Sequence, residues 1–132
     1  MEFGPRALGN RSILADARNP EMQKRLNLKI KKREGFRPFA PSVLEEDTSQ
    51  YFKIDIPSPY MLYVVPIQQS IQLNIPGNYS SLGLMEKLYT DRSLIPAVTH
   101  VDFSARLQTI SKNAKLWNTD RSFFKCCYQV VL

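Results

Sequence analysis

Two prolines three residues apart, in Arg37-Pro38-Phe39-Ala40-Pro41, narrow most sharply what this chain can fold into. Each lacks a backbone N–H, fixes its own φ and pushes the residue before it into extended geometry. Residues 37–44 therefore cannot be helical and read as a short strand or sheet-edge segment. Upstream, Asn19-Pro20 is a helix start, with asparagine capping free N–H groups and proline in the first turn. Met22, Leu26 and Ile30 follow at a spacing of four, which predicts a helix over residues 20–31. Leu26, Leu28 and Ile30 also alternate as a strand would, but the capping signal favours the helix. Downstream, residues 45–50 read as a polar loop or single helical turn, and residues 60–67 as a strand ending near Pro66. Residues 68–94 read as a long loop around Pro76-Gly77 with a short helix near 83–90. Residues 96–101 and 105–110 read as two strands around Asp-Phe-Ser. Strands interspersed with one or two helices predict an α/β or α+β layered fold.

At 132 residues, 43% hydrophobic and 23% charged, the chain has the balance of one globular domain. No apolar run approaches the ~20 residues of a membrane helix. The N-terminus lacks a signal-like apolar stretch, so a cytoplasmic protein is expected. Cys126 and Cys127 are adjacent and have no third cysteine, which fits a reducing compartment. A single histidine, His100, and no CxxC pair argue against a protein-borne metal site. The net charge of +6 is concentrated. Residues 1–40 hold ten Lys and Arg against four acids, whereas the remaining residues hold eight of each sign. An anionic partner would meet the protein in its first third.

Three stretches carry chemistry. In "GPRALGNRS", Gly4 and Gly9 permit tight turns, and Arg6 and Arg11 can fork onto phosphate or carboxylate oxygens. By itself this stretch is better explained as an ordinary turn with solvated arginines. In "KIKKREGFRPFAP", Lys31, Lys32, Arg33 and Arg37 precede or enter a rigid segment. A basic helix end is the usual reason for such a run. The rigid segment instead favours preorganised cations of the kind phosphoryl and adenylyl transfer need. In "THVDFSAR", His100, Asp102, Ser104 and Arg106 alternate, so an extended chain would project all four to one face. A hydrolase triad is disfavoured because residues so close on one strand rarely reach that geometry. A polar strand face along a ligand cleft competes evenly with an ordinary solvated face.

Together, "MEFGPRALGNRSILADARNPEM", "RLNLKIKKREGFRPFAPSVLEE", "SPYML" and "IPAVTHVDFSARLQTI" resemble, in order and spacing, the C-terminal region of the O-carbamoyltransferases. These are the nodulation-type and antibiotic-tailoring enzymes. The match runs from residue 1 to about 110 and is loose over residues 68–94; residues 111–132 form a divergent tail. The resemblance implies a single partial domain with a YrdC-like α/β fold, a twisted mixed sheet with a few packed helices, incomplete at its C-terminus. It implies an enzymatic half-site that uses carbamoyl phosphate and ATP to form carbamoyl-adenylate. A separate N-terminal actin-like domain would carry a metal site and transfer the carbamoyl group to an acceptor hydroxyl. Carried onto this sequence, the catalytic cations are Arg6, Lys31 and Arg37, with Arg33 in the same pocket. Ser104 and Arg106 lie beside the nucleotide, and His100 and Asp102 shape that wall. Mg2+ accompanies ATP through its phosphates rather than through a protein cage.

Two departures stand out. Phe103 occupies a position where the family has glycine, so a turn requiring positive φ would be strained there. After Ser111 the family's helix and Asn-Thr-Ser-Phe-Asn strand motif give way to "KNAKLWNTDRSFFKCCYQVVL". Trp117, Phe123 and Phe124 would pack on the core, and the missing strand would leave a gap or open edge, a possible route to a homodimer. The alternative functional readings are a non-catalytic basic module binding RNA or nucleotide, and an inactive remnant. RNA is the weaker partner, because Phe36 is the only aromatic inside the basic run.

Overall fold

The structure, a computed structural model, describes residues 13–111 and 129–130. Its strands are β1 (Ile13–Leu14), β2 (Ser42–Leu44), β3 (Val64–Pro66), β4 (Ser104–Arg106), β5 (Gln108–Ile110) and β6 (Gln129–Val130). Its α-helices are α1 (Met22–Arg25), α2 (Thr48–Tyr51) and α3 (Leu84–Tyr89), joined by short 3-10 turns. β4 and β5 form one nearly continuous run broken only at Leu107. The first half pairs antiparallel with β3, Val65 opposite Ala105. The second half pairs parallel with β2, Val43 opposite Thr109. β1 pairs antiparallel with β6. Small parallel and antiparallel sheets with few helices make this the mixed α/β architecture the sequence predicted. Phe39, Val43, Phe52, Val65, Ile67, Ile95, Val98, Ala105 and Leu107 pack into one core beneath it. None of the helices among the described residues is long and apolar enough to cross a membrane.

Several local expectations change. The Asn19 cap is present, its Oδ1 accepting the Glu21 N–H at 2.9 Å. However, α1 lasts one turn before the chain widens into a π-helix over Leu26–Lys31, ending in left-handed Lys32. The wider turn overturns the spacing-of-four stripe: Leu26 and Asn27 are buried, and Ile30 is 55% exposed. Residues 60–67 pair as a strand only at Val64–Pro66, because Met61 adopts a left-handed φ of 60° and turns into the core. Residues 96–101 are not a strand but a turn, with the Val98 N–H and the Thr99 hydroxyl both donating to the Ile95 carbonyl. The helix near 83–90 is α3, whose Glu86 carboxylate accepts the Gly83 N–H at 2.9 Å. The packing expected of Trp117, Phe123 and Phe124, and the gap expected where the tail departs, lie outside the described residues.

Candidate functional site

A cavity of about 270 Å³ brings together segments far apart in sequence. Phe36 and Pro38 form one wall, Leu84, Met85 and Leu88 of α3 a second, and His100 and Val101 a third. Its rim is apolar yet open: Leu84 is 70%, Met85 54% and Phe36 54% exposed. Large apolar side chains grouped around a concavity favour a flat, weakly polar ligand surface over water. The volume lies just below the roughly 300 Å³ at which pockets for drug-sized ligands begin, enough for a ring system but not a whole nucleotide.

The first wall belongs to the basic loop. Asn27, fully buried by the π-helix, donates from Nδ2 to the Gly35 carbonyl at 3.1 Å and the Arg37 carbonyl at 2.9 Å. Its Oδ1 accepts the Arg33 Nε–H at 2.6 Å, and the Arg33 guanidinium lies 4.9 Å from the centre of the Phe39 ring. Gln23 adds bonds from Nε2 to the Phe36 and Arg37 carbonyls at 3.0 and 3.2 Å. Two side-chain amides thus fix the backbone on which the cations stand.

Lys31, Arg33 and Arg37 sense one another. Burial and then Arg33 lower the Lys31 pKa, and burial and then Arg37 lower that of Arg33. Arg37 pairs with Glu34 at 2.8 Å on an exposed surface, a bond weak enough to be surrendered to a stronger anion. Among the described residues Lys31, Arg33 and Arg106 have no carboxylate at ion-pair distance. Lys31 and Arg33, close enough for Arg33 to lower the Lys31 affinity for a proton, favour an incoming anion.

The third wall is a tight turn rather than the extended strand expected for His100, Asp102, Ser104 and Arg106. The His100 N–H donates to the Ser104 carbonyl at 2.8 Å, and the Phe103 N–H to the His100 carbonyl at 3.1 Å. Phe103 takes φ 63°, the left-handed geometry that a glycine would accommodate without strain, and its ring rests on Tyr79 at 5.8 Å between centroids. Folding back, rather than alternation, brings the side chains together. The Ser104 hydroxyl donates to Asp102 Oδ1 at 2.6 Å, and His100 Nδ1 lies 3.1 Å from Ser104 Oγ. Serine, not histidine, is the central member, so this is not a nucleophilic triad. Burial pushes the Asp102 carboxyl up, but the Ser104 hydroxyl and N–H together outweigh it and the pKa falls. Burial also lowers the His100 pKa, aided by Arg106 and Arg92 and opposed by Asp102.

Arg92 was not singled out in the sequence. Only 2% exposed, it sits behind the cavity and gives its guanidinium to the carbonyls of Lys87, Leu88, Thr90, Thr99 and His100. It ties the end of α3 to the His100 turn, thereby joining two walls. Nothing in the sequence marks it, because its partners are backbone atoms. Asn27 could have been suspected only by treating a polar residue between Leu26 and Leu28 as buried, which an α-helical period forbids.

Of the proposed cations, Lys31, Arg33 and Arg37 share one loop, whereas Arg6 lies outside the described residues. Phe36 and Pro38 line the cavity on either side of Arg37 in the chain, although the Arg37 side chain itself does not. Among the described residues no three His, Cys, Asp or Glu gather as metal ligands.

The domain is a mixed α/β layer in which parts of a basic loop and of a polar turn line one apolar cavity. The carbamoyltransferase C-terminus family model matches residues 1–124, and the chain belongs to that family. It is 56% identical over 110 residues to the uncharacterized protein sll1178 of Synechocystis sp., covering 83% of this chain and 18% of that protein. It is 46% identical over 129 residues to nodulation protein NolNO of Sinorhizobium fredii, covering 94% of this chain and 16% of that protein. It is 44% identical over 112 residues to nodulation protein U of Bradyrhizobium diazoefficiens, covering 85% of this chain and 16% of that protein. The chain thus spans less than a fifth of each of these relatives.

Proposed function

We propose that the cavity and the basic loop form the nucleotide half of a carbamoyl-adenylate-forming site within a carbamoyltransferase. The observation that carries this reading is that two family motifs, more than sixty residues apart, contribute Phe36 with Pro38 and His100 with Val101 to the lining of one cavity. The base of ATP would occupy the apolar cavity, and its phosphates would run toward Lys31, Arg33 and Arg37, with Arg6 as a fourth cation. Carbamoyl phosphate would first lose phosphate to water, giving carbamate. A carbamate oxygen would then attack the α-phosphorus of ATP and expel pyrophosphate. These residues would bind and orient, holding like-charged reactants within reach and stabilising charge on the departing pyrophosphate. Mg2+, bound with ATP, supplies further neutralisation of the phosphates. Transfer to an acceptor hydroxyl would fall to an actin-like N-terminal domain of the longer relatives' kind, working in the cytoplasm.

Calorimetric titration with Mg-ATP tests this. Lys31→Ala and Arg37→Ala should each weaken binding about tenfold, or roughly 1.4 kcal/mol. Unchanged affinity in both variants would remove the proposal.

A further inference from the structure

A triphosphate site leaves open which base enters the apolar cavity, and the hydrogen bonds around His100 answer that. We propose that His100 is a specificity-determining residue, fixed as the Nδ1–H tautomer so that Nε2 accepts a hydrogen bond from an amino-bearing base and disfavours an oxo-bearing one. This rests on the nucleotide reading above and adds to it the choice of adenine over a 6-oxo purine.

The tautomer follows from counting protons. The Ser104 hydroxyl has one, and it goes to Asp102 Oδ1 at 2.6 Å. The Ser104 N–H donates to the same carboxylate oxygen at 3.1 Å, so the geometry of the turn is fixed from both sides. Toward His100, Ser104 Oγ can then only accept, and at 3.1 Å the hydrogen must sit on Nδ1. A neutral imidazole protonated at Nδ1 has a lone pair on Nε2. Burial favours that neutral form, and the nearby Arg92 and Arg106 cations act in the same direction against Asp102. No described residue hydrogen-bonds Nε2.

The other polar side chains of the cavity leave the same sign of capacity. Arg92 turns all three guanidinium nitrogens to carbonyls. The Thr99 hydroxyl donates to Ile95 and contacts Ser93. Gln23 commits its amide nitrogen to Phe36 and Arg37, leaving Oε1 as an acceptor. Among the polar side chains that line the cavity, His100 Nε2 and Gln23 Oε1 thus keep acceptor capacity. The 6-amino group of adenine satisfies an acceptor, whereas a 6-oxo group opposes lone pair to lone pair. Sites that hydrogen-bond a substrate group reject analogues lacking it far more strongly than apolar sites do.

The decisive experiment compares ATP with inosine triphosphate, which differs only at the 6-position and N1. His100 is the sole histidine, so 15N-histidine labelling yields a single imidazole whose tautomer can be read directly by NMR. The wild-type chain should show a pyridine-type Nε2 that moves on adding ATP but not inosine triphosphate, and should bind ATP at least tenfold more tightly. His100→Phe should bring the two affinities within threefold of each other, whereas Lys31→Ala should lower both equally. A pyridine-type Nδ1, or equal wild-type affinities, would overturn the proposal. So would an unchanged ratio in His100→Phe with Lys31-dependent ATP binding intact, a result that leaves the nucleotide site standing. No nucleotide binding by the wild-type chain would sink both.

Discussion

The basic loop and the His100 turn both contribute to the lining of one cavity, but they are held in place by different means. The loop, residues 31–38, is held from outside: Asn27 and Gln23 reach across from the preceding helical segment to its carbonyls. The turn, residues 100–104, closes on itself through bonds between residues no more than four apart, and Arg92, Tyr79 and Ile67 anchor its His100, Val101 and Phe103 carbonyls from outside. A scaffolded loop can present several cations together, with only Arg37 among Lys31, Arg33 and Arg37 paired to an acid among the described residues. The turn can set a tautomer, because the Ser104 hydroxyl proton is committed to Asp102 within it. Damage should therefore spread differently from the two walls.

The sharpest test of that contrast is Asn27→Ala. It leaves the Gly35 carbonyl and the Arg33 Nε–H without their buried partner and the Arg37 carbonyl with Gln23 alone, and should cost about 3 kcal/mol in urea unfolding. It should also weaken ATP binding as much as loss of a cation does. A cost below about 1 kcal/mol would show that the loop holds itself, and the contrast would fail.

A smaller effect should come from the turn through pH. His100 has a folded pKa below its usual 6.5, so the unfolded chain takes up the proton first as pH falls. Its stabilising contribution is complete above pH 6.5 and is lost between there and the folded value, with a slope of at most about 1.4 kcal/mol per pH unit. Urea midpoints measured from pH 7.5 downward should fall in that window for the wild type and stay flat for His100→Gln. Asp102, also lowered, adds a second loss only below its usual 3.8.

The smallest effect should be Phe103→Gly. Removing left-handed strain, about 1 to 2 kcal/mol, offsets the lost contact with Tyr79 and its burial. A net change within about 1 kcal/mol in thermal unfolding is expected. A large loss would mean that the ring, rather than the local hydrogen bonds, maintains the turn.

Prolines made the extended segment at residues 37–44 readable, the Asn19 cap was legible as a start, and the motifs around Arg37 and Ser104 pointed to the family. The end of the first helix was not legible, since one widened turn exchanges Ile30 for Asn27 on the buried face. Nor was the fold-back at residues 100–104, because alternating polar residues suit a strand as well as a turn. Arg92 escaped notice because backbone carbonyls, which carry no sequence signature, compensate its charge.

By itself the sequence determined where positive charge gathers, which segments cannot be helical, and which residue types the motifs offer to an anion. Tertiary structure alone decided that Phe36 and His100 face one cavity, and that a buried asparagine and a buried arginine join its walls. The physical reason is range. Proline geometry, caps and net charge act within a few residues, whereas burial and carbonyl partners exist only once distant segments have packed.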